Sequence, residues 1–122
     1  MEELKVRAKL LDEWVEGYFC VYRGIPQILV DESSWAPIDD IKTVGRYTGL
    51  CDKNGNKIFE GDIVKNEYRR GQYQYFKIFY DTRVYCFRVE NKYGMLGFLY
   101  NVIGDLEVIG NIHDNKELLN EN

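Results

Sequence analysis

Residues Tyr47–Lys65 read YTGLCDKNGNKIFEGDIVK, with Gly49, Gly55 and Gly61 evenly spaced among acidic and amide residues. Such a span is a metal loop, a phosphate cradle or a series of chain reversals. A calcium loop that begins at Asp52 needs glycine at its sixth place and a bidentate glutamate at its twelfth. Those places hold Lys57 and Ile63, and Asp52, Asn54 and Asn56 are ordinary turn residues. A phosphate cradle needs GxxxxGK[ST] or a strand-linked GxGxxG, and the chain has neither. Reversals remain. Asn54-Gly55 suits a type I′ turn between strands Tyr47–Cys51 and Lys57–Phe59, and Gly61 bends the chain again before Ile63-Val64 starts the next strand. Short strands joined by glycine turns predict a small barrel.

Working outward, 122 residues suffice for one compact core with a small extension. Charged residues make up 30% and hydrophobic ones 45%, which excludes a disordered or fibrous chain. Ten tyrosines and six phenylalanines favour pleated surfaces and so β-structure. Apolar runs such as Tyr18–Tyr22 are far shorter than the roughly 20 residues of a membrane span. The charged opening MEELKVRAKLLDEW lacks the pattern of a secretion signal, so a cytoplasmic location is expected, with no membrane partner. Cys20, Cys51 and Cys86 are odd in number and widely spaced, which predicts reduced thiols.

Lys5–Leu10 reads as a strand, followed by a turn at Asp12-Glu13, β-rich sequence from Gly17 to Arg23, a break at Gly24-Ile25-Pro26 and a strand over Gln27–Val30. Loop chemistry over 31–43 divides an N-terminal β-hairpin extension, 1–42, from a main β domain, 43–122. In the latter, Tyr73–Tyr80 and Arg83–Glu90 form a hairpin about Asp81-Thr82. Phe76, Ile78, Tyr80, Tyr85, Phe87 and Val89 are its predicted core face. Leu106–Ile112 is a last strand, and Asp114–Glu117 resembles a capping box before a short helical turn at Leu118-Leu119.

Few residues carry chemistry. His113 is the only histidine and the cysteines lack CxxC spacing, so neither a zinc site nor any other metal or cofactor is expected. Cys51 or Cys86 could meet His113 only through folding. Asp31-Glu32 and Asp39-Asp40 lie in Pro/Ser-containing loops and read as solvated charge rather than an acid–base pair. Gly94-Met95-Leu96-Gly97 matches a GxxG clamp but lacks its helix-loop-helix setting, and reads as a bend. The chain therefore reads as a non-enzyme with no catalytic residues.

Charge is uneven. Between Lys65 and Lys92, seven bases (Lys65, Arg69, Arg70, Lys77, Arg83, Arg88, Lys92) face three acids (Glu67, Asp81, Glu90), a local +4 in a chain of −4. Tyr68, Tyr73, Tyr75 and Phe79 interleave with them, as a stacking platform for single-stranded nucleic acid requires. Lys65, Arg69, Arg70, Tyr73, Tyr75, Lys77 and Arg88 are the candidate residues for that alternative. Against it, a pI near 5.0 weakens long-range attraction to phosphate. Burial of the aromatics against another subunit or against the N-terminal extension is the expected use.

Tyr47–Leu50, Asp52–Gly55 and Ile58–Val64 resemble the YTGLxDKNGxxIYEGDIV signature of the YopX family, small proteins carried by bacteriophages and prophages. Lys5–Ala8 is similar to the family's KFRA start, and Val108–Ile112 with Glu117–Leu119 to its VIGNIYENPELL ending. Lys9 departs from a common tryptophan and Lys116 from a usual proline. The resemblance implies a mainly β protein whose larger part is an SH3-like barrel. It implies no established activity and offers no functional residues to carry over. With it, the expected role is a non-enzymatic interaction module, either a homo-oligomer or bound to a phage or host protein.

Overall fold

Alternation along Lys5–Leu10 (β1) sends Val6 and Ala8 to one side, where both are fully buried, and Lys5, Arg7 and Lys9 to the other. The computed structural model describes residues 5–31 and 34–120. After β1 the chain turns at Leu11-Asp12 into β2 (Glu13–Tyr22), then β3 (Ile25–Leu29) and β4 (Trp35–Pro37), an antiparallel meander. Arg7 and Lys9 lie over the Trp14 ring at 4.8 and 5.7 Å. Val6, Ala8, Ile28 and Ile38 form the core of this first unit, which ends at Tyr47. The break placed at Gly24–Pro26 falls at Arg23-Gly24 instead, where both residues take positive φ; Ile25 and Pro26 already belong to β3. Within the expected loop, Trp35–Pro37 pairs as an edge strand, a position that tolerates proline. Asp31 and Asp39 there accept backbone N–H groups from Ser34 (2.8 Å) and Leu11 (3.4 Å), and Asp40 caps a 3₁₀ turn at Ile41–Thr43. Glu32 lies outside the described residues.

β5 (Gly45–Cys51) pairs with β1 through its opening residues, and its later residues run beside β6 (Lys57–Phe59) in the second unit. There β7 (Asp62–Arg69), β8 (Gln72–Asp81), β9 (Cys86–Glu90), β10 (Leu96–Phe98) and β11 (Leu106–Asn111) form a five-stranded antiparallel sheet in the order β10-β9-β8-β7-β11. A short helix α1 (Leu99–Val102) follows β10, and a 3₁₀ turn at Lys116–Asn120 supplies the expected C-terminal turn. Just before it, Asp114 Oδ2 accepts from the Asn111 side chain at 3.3 Å. Ile58, Val64, Ile78, Val89, Leu99 and Leu106 make the core, with Phe76 and Phe87 against it. The protein is mainly β, in two antiparallel sheets. The expected SH3-like barrel is not what the pairing gives: both sheets end in edge strands, and no closed barrel forms among the described residues.

Three hairpins of this unit turn on Asx side chains, at Asp52, Asp81 and Asn91. Asp52 accepts the Gly55 N–H on its carbonyl at 3.0 Å and donates its own N–H to Asn56 O at 2.8 Å. Its Oδ1 takes the N–H groups of Asn54 and Asn56 at 2.9 and 2.8 Å. Only Gly55 takes positive φ, at 85°, so the turn is a three-residue connection closed by a left-handed glycine and not the type I′ turn expected of Asn54-Gly55. Asn91-Lys92-Tyr93-Gly94-Met95 repeats the geometry: Asn91 Oδ1 accepts from Tyr93 and Met95, both at 2.9 Å, and Gly94 has φ 80°.

Asp52 also reaches across the chain. Its Oδ2 accepts the Val108 N–H at 2.9 Å, and Lys53 N–H donates to Leu106 O at 3.0 Å, which fastens the first hairpin to the outer edge of β11. Asp62 acts likewise at the next bend. It is buried, and its Oδ2 takes the Phe59 N–H at 2.7 Å across Gly61, whose φ of 89° glycine adopts at low cost and a residue with a Cβ does not. Burial would raise the Asp52 pKa, but hydrogen bonds from Val108, Asn56 and Asn54 more than offset this and hold it below the ordinary value.

Two outcomes follow from Asp52. Asp52→Asn turns one acceptor into a donor among N–H groups and should cost about 2–4 kcal/mol in a urea titration; a loss under about 0.5 kcal/mol would show that the bridge carries little. Because its folded pKa is lowered, the Asp52 contribution is complete above the unfolded value of about 3.9 and disappears as pH falls through the lower folded value. Wild-type stability should hold from pH 7 to about 5 and drop below about 4, with a shallower drop in Asp52→Asn, measured by thermal unfolding across pH.

Candidate interaction surface

Strand pairing sorts the basic, aromatic segment into two faces. Phe76, Ile78 and Tyr80 on β8 meet Val64, Val89 and Phe87, as the alternation predicts. Tyr85 leaves this set. It sits outside β9, with φ 55° and 79% of its surface exposed, because the β8–β9 loop spans Thr82–Tyr85 rather than a two-residue bend.

The opposite face gathers five of the seven nucleic-acid candidates: Lys65, Tyr73, Tyr75, Lys77 and Arg88. Arg69 and Arg70 stand apart at the exposed β7–β8 turn. The bases on the face have partners. Lys65 Nζ lies 3.6 Å from Glu107 and over the Tyr73 ring at 4.7 Å, Lys77 Nζ is 3.2 Å from Glu90, and Arg88 is 3.2 Å from Asp81 and over Phe98 at 4.6 Å. Tyr73 pairs in register with Glu67, which hydrogen-bonds its phenol and raises its pKa. The linear excess of +4 is thus offset in space, partly by Glu107, which β11 brings beside Lys65 from outside the segment. Tyr68, Tyr73, Tyr75 and Tyr93 line an open pocket of about 280 Å³ at one end of this face, with Lys92 and Leu119.

At the other end of β8, Asp81 organises the loop that carries Tyr85. Its buried carboxylate accepts from Arg83 N–H at 3.0 Å, from Arg83 Nε and a terminal nitrogen at 2.9 Å each, and from Arg88 at 3.2 Å. The Arg83 side chain holds the Asp81 carboxyl far below the usual carboxylate range. Left-handed backbone at a tyrosine is costly and persists only where its surroundings fix it. Here that cost presents an aromatic ring to solvent.

Tyr85 forms one wall of an open groove of about 520 Å³. Leu50, Tyr80, Phe87, Phe98 and Tyr100 line it, and its other members, Thr48, Cys86 and Asn101, are also uncharged. Tyr80 and Phe87 meet edge to face at 5.1 Å in its base, and Tyr100 is 78% exposed at its rim. Among the described residues no charged one lines this groove, although 30% of the chain is charged. The sequence does not single it out, because alternation places Tyr85 on the core face and nothing local marks Tyr100.

Of the residues weighed for catalysis, Cys86 starts β9 and His113 follows β11, with β8 and β7 between those two strands in the sheet order. His113 N–H donates to Asn111 Oδ1 at 2.9 Å. Among the described residues no three His, Cys, Asp or Glu side chains gather to hold a metal, and no helix is long and apolar enough to cross a membrane. Cys20, Cys51 and Cys86 are all unbridged.

No curated protein matches the chain. The family model described as YopX protein matches residues 13–120, and that span includes the Asp52 bridge, the Gly61 bend, all of the five-stranded sheet and the groove. The chain belongs to the YopX family.

Proposed function

We propose that this protein is a non-enzymatic interaction module that associates with protein chains, its own copies first, through the uncharged aromatic groove. The observation that carries this reading is Tyr85, held in a costly backbone conformation by the Asp81 cluster and left almost fully exposed beside a groove without charge. Aromatic side chains that enter a pocket dominate the energetics of protein contacts. The carboxylates available for acid–base work serve instead as turn caps and ion partners, which favours binding over catalysis. In this reading the module works in the reducing cytoplasm of a bacterial host, as three unbridged cysteines suit.

A second reading, single-stranded nucleic acid on the outer face, draws on the tyrosine pocket and on Arg69 and Arg70 at the neighbouring turn. A labelled oligonucleotide bound at low salt and released as salt rises, with binding weakened in Arg69→Ala/Arg70→Ala, would favour it. Absence of any salt-dependent shift leaves the first reading.

Tyr85 and Tyr100 are exposed, so Tyr85→Ser/Tyr100→Ser should keep thermal stability within about 0.5 kcal/mol. Association measured by sedimentation velocity should weaken at least about tenfold in this variant. Unchanged association would remove the groove from the account.

A further inference from the structure

Tyr93–Gly104, YGMLGFLYNVIG, is a run of twelve residues without a charge in a chain that is 30% charged. It includes β10, the end strand of the five-stranded sheet, with Tyr93, Met95, Leu96, Phe98 and Tyr100 all exposed. The two ends of this sheet are treated differently. At β11 the outward Val108 N–H is taken by Asp52 and the Leu106 carbonyl by Lys53, and the strand is bulged between Val108 and Gly110. Such devices stop another strand from adding to an edge. β10 has no charge, proline or bulge along Leu96–Phe98.

We propose that β10 is a dimer seam, at which a second copy of this chain adds its own β10 antiparallel about a two-fold axis at Gly97. This rests on the reading of the protein as a self-associating module and names the contact. Three observations select a second copy as the occupant. The sheet is antiparallel throughout, so two-fold pairing of its end strands continues it without a change of pattern. Register about Gly97 puts Leu96 of each copy opposite Phe98 of the other, so one exposed apolar pair supplies both sides of the contact. Each copy carries −4 overall, and an uncharged strip is where two such copies repel least. Phe98 and Tyr100 also line the groove, so the seam and the groove are one continuous surface. The exposed parts of Tyr85, Tyr93, Met95, Leu96, Phe98 and Tyr100 amount to roughly 800 Å² per copy, comparable to the ~800 Å² per partner of a standard interface.

The test uses the full chain in sedimentation velocity from about 1 to about 200 µM, with hydrogen exchange at the low and high ends. A reversible dimer is expected, with amides of Leu96–Phe98 exchanging more slowly as concentration rises. Leu96→Lys places a charge on the seam at an exposed position and should weaken the dimer at least about tenfold with an unchanged unfolding temperature. A monomer throughout this range would overturn the seam, as would a dimer that Leu96→Lys leaves intact. If that intact dimer is lost in Tyr85→Ser/Tyr100→Ser, the groove reading survives and only the seam fails. β10 amides protected solely by a different protein would assign the edge to a heterologous partner and overturn the second copy.

Discussion

One carboxylate ties the first hairpin of the second unit to its five-stranded sheet. Asp52 takes N–H groups from Asn54 and Asn56 on one oxygen and from Val108 on the other, so a single buried side chain both shapes a local turn and ties it to a strand 56 residues away. Remove it and three N–H groups lose their acceptor together. Because they belong to both the first hairpin and the edge of the five-stranded sheet, the loss would be shared by two elements that the local sequence does not connect.

The family signature then has a physical meaning. Asp52 bridges, Gly55 closes the three-residue turn, Thr48 donates its hydroxyl to the Ile58 carbonyl at 2.7 Å, and Gly61 with Asp62 makes the following bend. Ile58 and Val64 fill the core. Every one of these roles is structural. Asx residues recur at other reversals of this unit, at Asp81, Asn91 and Asn111, where a short side chain can satisfy backbone donors that a tight turn leaves open. The buried acids of this unit, Asp52, Asp62 and Asp81, all serve turns, while several of its aromatics are exposed.

How much of this is legible in the sequence depends on range. Val6 and Ala8 in β1, or Phe76 and Ile78 in β8, announce their faces through period two, and the glycines announce the bends. Asp52 is visible as a turn residue, but its bond to Val108 is not, because nothing local marks a partner so distant in sequence. The same limit governs charge: Glu107 sits outside the basic segment and reaches Lys65 only through β11 pairing with β7. Tyr85 fits the alternation of β9, and only the Asp81–Arg83 contact, which lengthens the loop, takes it out of the core. A signal for the surface was present in the uncharged run from Tyr93 to Gly104, which alternation alone does not single out.

The proposed association draws on the same division between guarded and open surface. Asp52 and Lys53 close one edge of the sheet, which leaves the β10 edge and the adjoining groove as its open apolar side. The claim beneath all of this is that Asp52 is an anchor rather than a ligand for an ion. Its carboxyl carbon, followed by NMR through an acid titration with and without calcium, tests that most directly. The account predicts a midpoint below the ordinary aspartate value, a Val108 amide shift that moves with it, and no response to calcium. An ordinary midpoint with an indifferent Val108 amide, or a calcium-dependent shift, would contradict it.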